Sequence, residues 1–148
     1  MKRILMIAFA VVFFLSGCSA EEGIVVHNAW VRPTTRGENG AVYFVIQNNS
    51  GATAELIAAS SNVAESVEMH ESSIAEGDVM RMQQVFSVSM EHRSEIIFEP
   101  GGLHVMLVNV NRDLELGEYV ELILHFKNHE DIPVTVSVSE FAPDEHDH

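Results

Sequence analysis

The segment GLHVMLV at residues 102–108 predicts a β-strand whose two faces differ in chemistry. Successive side chains of a strand point to opposite sides of the sheet. The apolar residues on the side that we predict to be core are Leu103, Val105 and Leu107. His104 and Met106 share the other side, and an imidazole and a thioether two residues apart are suitable ligands for a soft metal ion. The segment therefore predicts a buried face and a candidate metal-binding face on one strand.

Strand patterns continue along the chain on both sides of this segment. Short runs of β-branched, aromatic and alternating apolar residues are separated by turns that contain Gly, Pro, Asn and Ser. The predicted strands are residues 24–31, 41–47, 54–60, 79–85, 94–98, 102–108, 119–127 and 133–141, with a further extended piece at 67–71. Residues 61–66 are predicted to be irregular and residues 72–78 to be a loop. With no convincing helix, about eight short strands favour a single-domain, all-β Greek-key sandwich or a closely related barrel.

The composition excludes several classes of protein. A chain of 148 residues with 47% hydrophobic content is long enough for one domain with a real core and is not of the disordered type. The formal net charge of −14 argues against nucleic-acid binding, which needs a basic surface. It gives no support for docking on anionic lipid headgroups. We find no nucleophile paired with a base and an orienting group, so we expect that the protein is not an enzyme.

The N-terminus has the pattern of a targeting segment. Lys2 and Arg3 precede an apolar run at residues 4–15, which has the length of a signal-peptide core and is too short for a transmembrane helix. The run ends in Leu15-Ser16-Gly17-Cys18, which resembles the bacterial lipobox. That resemblance implies attachment of diacylglycerol to Cys18, cleavage before it, and acylation of the new N-terminus. The alternative is an ordinary secreted protein with a stray cysteine near its cleavage site.

The sequence predicts one folded domain between two short terminal parts. The expected segments are a signal peptide at 1–17, the lipidated cysteine and a tether at 18–23, the β-sandwich domain at 24–141, and an acidic tail at 142–148. Cys18 is the only cysteine, so once it is lipidated no thiol remains for disulfides or nucleophilic chemistry. In the tail, His146 and His148 could form a loose capture site for Cu(II) or Zn(II), or could simply belong to a solvated acidic segment.

Two upstream regions could complete a metal site with His104 and Met106. His70 lies in the extended piece at 67–71, and Met82 lies in the predicted strand at 79–85. Each of these residues alone is more often part of a core than a ligand. Thioethers are soft and neutral, so two methionines with two histidines favour Cu(I) over Zn(II) or Cu(II). The absence of a thiolate ligand argues against a blue-copper electron-transfer centre.

At this point the residues resemble a known family, the periplasmic copper chaperones called PCu(A)C. The segments that carry the resemblance are Ala29–Arg32, Ser60–Glu71, Gly77–Met82 and Pro100–Leu107. The resemblance itself extends over nearly the whole mature chain. The resemblance implies a cupredoxin-like β-sandwich that binds Cu(I) through two histidines and two methionines. In this sequence the corresponding residues are His70, Met82, His104 and Met106. It also implies a role in supplying copper to the CuA centre of cytochrome c oxidase.

The spacing of these residues matches the family pattern with one departure. Between Met82 and His104 lie 21 residues, as in the family. Between His70 and Met82 lie 11 residues, one more than is usual in the family, which predicts an extra loop residue near Gly77-Asp78. Met80 shares a predicted strand face with Met82 and is the alternative third ligand.

The other methionine, tryptophan and histidine residues receive structural interpretations. We predict that Met69, Met90 and Trp30 belong to the core. The histidines that we assign to the surface or to turns are His27, His92, His125 and His129.

We therefore expect a lipid-anchored, extracytoplasmic copper chaperone in the cell envelope. It would pass Cu(I) by ligand exchange to an apo-protein, and the expected acceptor is the CuA subunit of cytochrome c oxidase. It would contact the membrane through its lipid and would not bind nucleic acid. Two alternatives remain open at this point. One is an envelope protein that sequesters copper without delivering it, and the other is an adhesion or assembly lipoprotein with a degenerate metal site.

Overall fold

The computed structural model describes residues 23–75, 77 and 79–143, and these form ten β-strands. The strands are β1 (Ile24–Val31), β2 (Gly40–Asn48), β3 (Ala54–Ser60), β4 (Ala64–Ala75), β5 (Val79–Gln84), β6 (Val88–Met90), β7 (Ser94–Phe98), β8 (Leu103–Val110), β9 (Tyr119–Phe126) and β10 (Ile132–Val138). Nowhere in these described ranges does a helix occur that is long and apolar enough to cross a membrane.

Some of the predictions concern residues outside the described ranges. The signal peptide and the lipidation site at Cys18 precede them, and the tail histidines His146 and His148 follow them. These predictions therefore remain predictions. Of the region where we expect the extra residue, the structure describes Gly77.

The strands form one continuous hydrogen-bonded sheet in the order β5-β4-β8-β7-β2-β1-β10-β9-β3-β6. Neighbouring strands are antiparallel except at β1–β10 and β7–β8, which are parallel. The sheet folds over on itself, because β3 contacts β4 although the two lie near opposite ends of this order. The inner faces of the two halves share one hydrophobic core. The predicted single-domain, all-β, cupredoxin-like Greek-key sandwich is confirmed.

The core is built from the alternating strands that the sequence predicts. In β9 the inward residues are Val120, Leu122, Leu124 and Phe126, and all four are buried. The rings of Phe44 on β2 and Phe98 on β7 stack with their centroids 4.3 Å apart. Burial of one such side chain contributes roughly 1.5–3 kcal/mol. The predicted core residues Trp30, Met69 and Met90 are buried as well.

Two strands differ from the sequence-based prediction. β4 begins inside the stretch predicted to be irregular and continues through residues 72–75, which are predicted to be loop, because those residues pair one by one with β5. The strand β6 is absent from the prediction. It has only three residues, too few to show alternation, and it depends on antiparallel pairing with β3. The extension of β4 matters for function, because it places His70 inside a paired strand.

Candidate metal centre

Strands β4 and β8 bring the two predicted histidine ligands together. His70 on β4 lies directly opposite His104 on β8 in the antiparallel ladder. Directly opposed residues point to the same side of a sheet, so the two imidazoles share a face. The next pair, Met69 and Val105, points to the other side and is buried in the core. The strand register predicted for residues 102–108 is therefore confirmed, with His104 on the face opposite the core.

A carboxylate on the same strand fixes the orientation of His70. Its Nε2 lies 2.8 Å from Oε2 of Glu68, and because an ionised carboxylate can only accept, the ring nitrogen donates. The proton of a neutral imidazole is then on Nε2, which leaves the lone pair on Nδ1. That Nδ1 atom is buried, and it is the one buried side-chain nitrogen or oxygen of the described ranges that has no hydrogen-bond partner. Carboxylate–histidine pairs of this kind orient metal ligands in proteins.

A backbone carbonyl fixes the tautomer of His104, which is the opposite of the tautomer of His70. The side chain is only 3% exposed, and its Nδ1 donates to the carbonyl oxygen of Gly102 at 3.0 Å. The same oxygen accepts the backbone N–H of Ser72, also at 3.0 Å, and so ties the start of β8 to β4. Because the proton is on Nδ1, the lone pair of His104 is on Nε2. The ring centroids of the two histidines are 5.9 Å apart, with planes inclined by 35°.

A row of mutually tilted aromatic rings extends from His104 into the neighbouring strands. The ring of Tyr43 on β2 lies 6.4 Å from that of His104, and the ring of Trp30 on β1 lies 5.0 Å from that of Tyr43. The guanidinium carbon of Arg32 sits 5.8 Å from the Trp30 ring centroid. Trp30 and Arg32 belong to one of the segments that resemble the copper chaperones. In the fold this segment supports one side of the histidine pair.

The two predicted methionine ligands lie on either side of His70 along the sheet. Each is opposite a residue of β4 that is two positions from His70. Met106 is opposite Glu68 and is half-buried. Met82 on β5 is opposite Ser72 and is 52% exposed. Residues diagonal to each other on adjacent strands are within reach of long side chains. All four predicted residues therefore lie on one face of the β5-β4-β8 part of the sheet.

The strand register also shows that Met82 lies nearer to His70 than does the alternative ligand Met80. Met80 is opposite Ile74, one further step away from His70, and is 67% exposed. The predicted extra residue falls between the end of β4 and the start of β5, where Gly77 has a φ of +83°. Glycine adopts a positive φ without steric cost. Met82 pairs with Ser72, which is two residues from His70 on β4, so the longer spacing keeps Met82 on the face of His70.

The four other histidines of the described ranges differ in exposure and in whether they lie within a strand. His92 and His129 are exposed between strands, as predicted, whereas His27 lies within β1 and His125 within β9, and both are half-buried. Across the described ranges no group of three or more His, Cys, Asp or Glu side chains is arranged to hold a metal.

The structure brings together a hydrogen-bonded Ser-His-Asp arrangement that is not predicted from the sequence. Ser60 hydrogen-bonds His125, and His125 hydrogen-bonds Asp131. The sequence predicts Ser60 at the end of the strand 54–60 and His125 at the surface. The three residues are far apart in sequence, and only the pairing of β3 with β9 brings them together.

Three residues beside the candidate metal centre are not among the residues predicted from the sequence. Glu68 was detectable, because a residue two positions before His70 shares its face of the strand. Gln84, directly opposite His70 on β5, and Tyr43, beside His104, carry no signal in the sequence. Their positions depend on the pairing of strands that are distant along the chain.

Comparison with known structures identifies the same fold in copper-binding domains. The copper-bound PCuAC domain of PmoF2 is 25% identical, with a TM-score of 0.66, and the likeness covers 84% of this chain and 97% of that domain. The Cu(I) form of DR1885 from Deinococcus radiodurans is 23% identical, with a TM-score of 0.63, over 84% of this chain and 83% of that protein. The second likeness shows the fold alone. The predicted resemblance to the PCu(A)C family is confirmed.

Comparison with known sequences points to lipoproteins. A protein of Leifsonia xyli subsp. xyli described as "Putative lipoprotein" is 26% identical over 145 residues, with 90% of this chain and 87% of that protein covered. The family model described as "Putative lipoprotein LpqE-like" matches residues 24–138. That range contains every strand of the sandwich and all the residues of the candidate metal centre. The chain belongs to the LpqE-like lipoprotein family.

Proposed function

We propose that the protein is an extracytoplasmic, lipid-anchored copper chaperone that carries Cu(I). The ligands we assign are His70, Met82, His104 and Met106. Two independent lines support the assignment: the similarity to a copper-bound PCuAC domain, and the presence of two imidazoles and two thioethers on one face of the sheet. Soft, neutral sulfur ligands combined with imidazole favour Cu(I).

The single observation that carries the proposal is the unpaired nitrogen of His70. Leaving a buried polar atom without a partner costs about 1–3 kcal/mol. His70 Nδ1 is in this state although Glu68 holds the other ring nitrogen in place. A lone pair that faces no donor is a ligand position, and the opposing His104 offers a second lone pair on Nε2. A bound cation removes the cost by accepting both.

This set of ligands is suited to a protein that carries Cu(I) outside the cytoplasm. Thiolates are oxidised in such compartments and then lose metal, whereas imidazoles and thioethers remain competent ligands. The only cysteine is Cys18, which lies before the folded domain. A site without thiolate also holds Cu(I) loosely enough to release it to a better set of ligands.

Release by ligand exchange is favoured by the position of Met82. It lies on β5, which is the edge strand of the sheet, and every residue of β5 is exposed. An incoming acceptor ligand can replace its sulfur without opening the core. We propose the CuA subunit of cytochrome c oxidase as the acceptor, which is the partner that the resemblance to the PCu(A)C family implies.

X-ray absorption at the copper edge tests the ligand set. The full-length protein in detergent, loaded with one equivalent of Cu(I), should show mixed nitrogen and sulfur neighbours. Zn(II) at equal concentration under reducing conditions should not displace the copper. A copper shell of oxygen and nitrogen only, or ready displacement by Zn(II), contradicts the assignment.

Transfer to an apo-CuA domain distinguishes a chaperone from a protein that only sequesters copper. Mixing the loaded protein and a reductant with the apo-domain should give the fully reduced, colourless CuA centre. Its purple absorption should appear once the reductant is removed and a one-electron oxidant such as ferricyanide is added. A protein that binds Cu(I) with the expected ligands but transfers none to the apo-domain is a sequestering protein. In that case the binding proposal stands and the delivery proposal fails.

The lipid anchor is tested separately. Replacement Cys18→Ser should move the protein from the membrane fraction to the soluble fraction or leave it unprocessed. Mass spectrometry of the wild-type protein should find an N-terminal Cys18 that carries diacylglycerol and an acylated amino group. A mature chain that starts at another residue and has no lipid contradicts the anchor.

A further inference from the structure

A second constellation of reactive side chains lies on the other outer face of the sandwich. Ser60 Oγ is 2.7 Å from Nε2 of His125, and Nδ1 of His125 is 2.8 Å from Oδ2 of Asp131. We propose that Ser60, His125 and Asp131 form a nucleophile–base–orienter triad that hydrolyses small esters. This inference uses no residue of the metal centre and stands or falls independently of the proposed copper function.

The strand register explains why these three side chains meet. Ala58 is opposite His125 and Ser60 is opposite Ile123 in the β3–β9 ladder, so Ser60 and His125 are diagonal neighbours on one face. In the β9–β10 hairpin Leu124 is opposite Ile132, and this register brings the preceding residue, Asp131, next to His125. Leu122, Leu124 and Phe126, which alternate with these residues on β9, point into the core. The triad therefore lies on the outer face, away from the core.

The hydrogen bonds place each proton where nucleophilic catalysis needs it. The ionised Asp131 carboxylate can only accept, so Nδ1 of His125 donates to it. Nε2 then holds the lone pair and accepts a hydrogen bond from the hydroxyl group of Ser60. This is the protonation state of a general base held beside a serine nucleophile. The side chain of His125 is 29% exposed, so the base is partly shielded while the face stays open to substrate.

The reaction follows from these positions. Ser60 Oγ bonds to the ester carbonyl carbon as its proton passes to His125 Nε2. The tetrahedral intermediate expels the alcohol oxygen, which takes that proton from His125, and an acyl-Ser60 remains. Water then attacks the acyl carbon, gives its proton to Nε2, and the carboxylic acid leaves as the proton returns to Ser60 Oγ. Asp131 stabilises the imidazolium in both steps.

The surroundings indicate the class of ester. The outward neighbours of Ser60 and His125 are the small or apolar residues Ala58 and Ile123, which suit a short acyl group. Exposed Glu121 and Asp131 disfavour an anionic substrate near the site. We therefore infer that the substrate is an uncharged ester with a short acyl chain.

Labelling with an alkyl fluorophosphonate tests the nucleophile. Ser60 Oγ should form a bond to phosphorus, with fluoride leaving and the serine proton passing to His125. Peptide mass spectrometry of the full-length protein in detergent should place the label on Ser60. Replacement His125→Ala should slow labelling by about 10²–10⁴-fold, which is the usual contribution of a general base. Asp131→Asn should slow it as well.

Ser61 provides the matched control. It is the adjacent hydroxyl, and it donates to the backbone carbonyl of Glu121 instead of to a histidine. Ser61→Ala should leave both labelling and the hydrolysis of p-nitrophenyl acetate unchanged, whereas Ser60→Ala should abolish both above background. Cu(I) binding and the melting temperature of the Ser60→Ala protein should match those of the wild type. If the folded wild-type protein carries no more label on Ser60 than on Ser61, the proposal is overturned, whatever the variants do.

Discussion

The two sides of the candidate copper site differ in how much of their geometry exists before metal arrives. On β4 and β8, His70 and His104 are cross-strand partners, and hydrogen bonds to Glu68 and Gly102 already select the nitrogen that each presents. On β5, Met82 belongs to an edge strand that is paired on one side only and is 52% exposed. We therefore expect that one side of the site is fixed by the sheet and that the other is free to move.

Because of this difference, we expect different ligands to determine the affinity for copper and the rate of its release. A preorganised ligand loses little conformational entropy on binding metal, so it contributes more affinity than a mobile ligand of the same type. A flexible methionine side chain contributes less, but an acceptor can displace it from the open edge of the sheet. We expect the histidine pair to determine whether copper binds and the edge methionine to influence how fast it leaves.

Replacement His104→Ala should have the largest effect on Cu(I) affinity. It removes a ligand whose position and tautomer are fixed, so the loss should exceed the roughly 10- to 100-fold that follows removal of a residue that only orients a ligand. Competition titration against a chromophoric Cu(I) chelator measures it. His129→Ala removes an exposed histidine of the same chain and should change nothing.

Leu107→Ala tests whether the two faces of β8 are assigned correctly. Leu107 is 1% exposed in the core, so its truncation should destabilise the fold by about 2–5 kcal/mol. Below its lowered melting temperature the protein should still bind Cu(I) with nearly wild-type affinity. Loss of copper binding in the folded Leu107→Ala protein, with normal binding by His104→Ala, would reverse the assignment of faces.

Glu68→Gln should have an intermediate effect. The carboxylate can only accept from His70 Nε2, whereas an amide can also donate and so permits the other tautomer, in which Nδ1 is protonated. Cu(I) affinity should fall by about 10- to 100-fold. Glu71→Gln removes the same charge one strand position away from His70, but Glu71 is opposite Leu103 and points to the other side of the sheet. If both variants lose affinity equally, the effect is general electrostatics and Glu68 does not orient His70.

Much of the fold is predictable from the sequence, because its signals are local. The alternation in β9 shows which residues face the core before any pairing partner is known. The strand β6 has no such signal, since three residues cannot show alternation and only the pairing with β3 makes them a strand. The extension of β4 through residue 75 is hidden for the same reason, because Ser72 and Ser73 look like loop residues until β5 pairs with them.

The candidate metal centre is predictable in part. The His-x-Met spacing places His104 and Met106 on one face from sequence alone. His70 and Met82 are upstream candidates, and the family resemblance groups all four into one ligand set. Tyr43 and Gln84 could not be found, because their contacts depend on which strands become neighbours. The pairing of Ser60 with His125 spans 65 residues of sequence and has no local pattern at all. Local chemistry is visible in a sequence, and chemistry that depends on long-range strand pairing is not.

The smallest effect is expected from the edge methionines, and it tests the mobile side of the site most directly. Met82 and Met80 are on the same face of the same strand, both are exposed, and they differ in register by one step from His70. Met82→Ala should weaken Cu(I) binding by roughly tenfold, which corresponds to about 1.4 kcal/mol.

Met80→Ala should weaken it less, because Met80 is opposite Ile74 and reaches the histidine pair only when β5 moves. The double variant should lose more binding free energy than the two single variants together. In the Met82→Ala protein Met80 can take the place of Met82, whereas in the double variant neither sulfur remains. Met82→Ala should also speed the transfer of copper to an apo-acceptor, because one ligand fewer must be displaced. If Met82→Ala reduces affinity as strongly as His104→Ala, or if the two methionine effects are additive, then β5 is as rigid as β4 and β8, and the contrast between a fixed and a mobile side of the site does not hold.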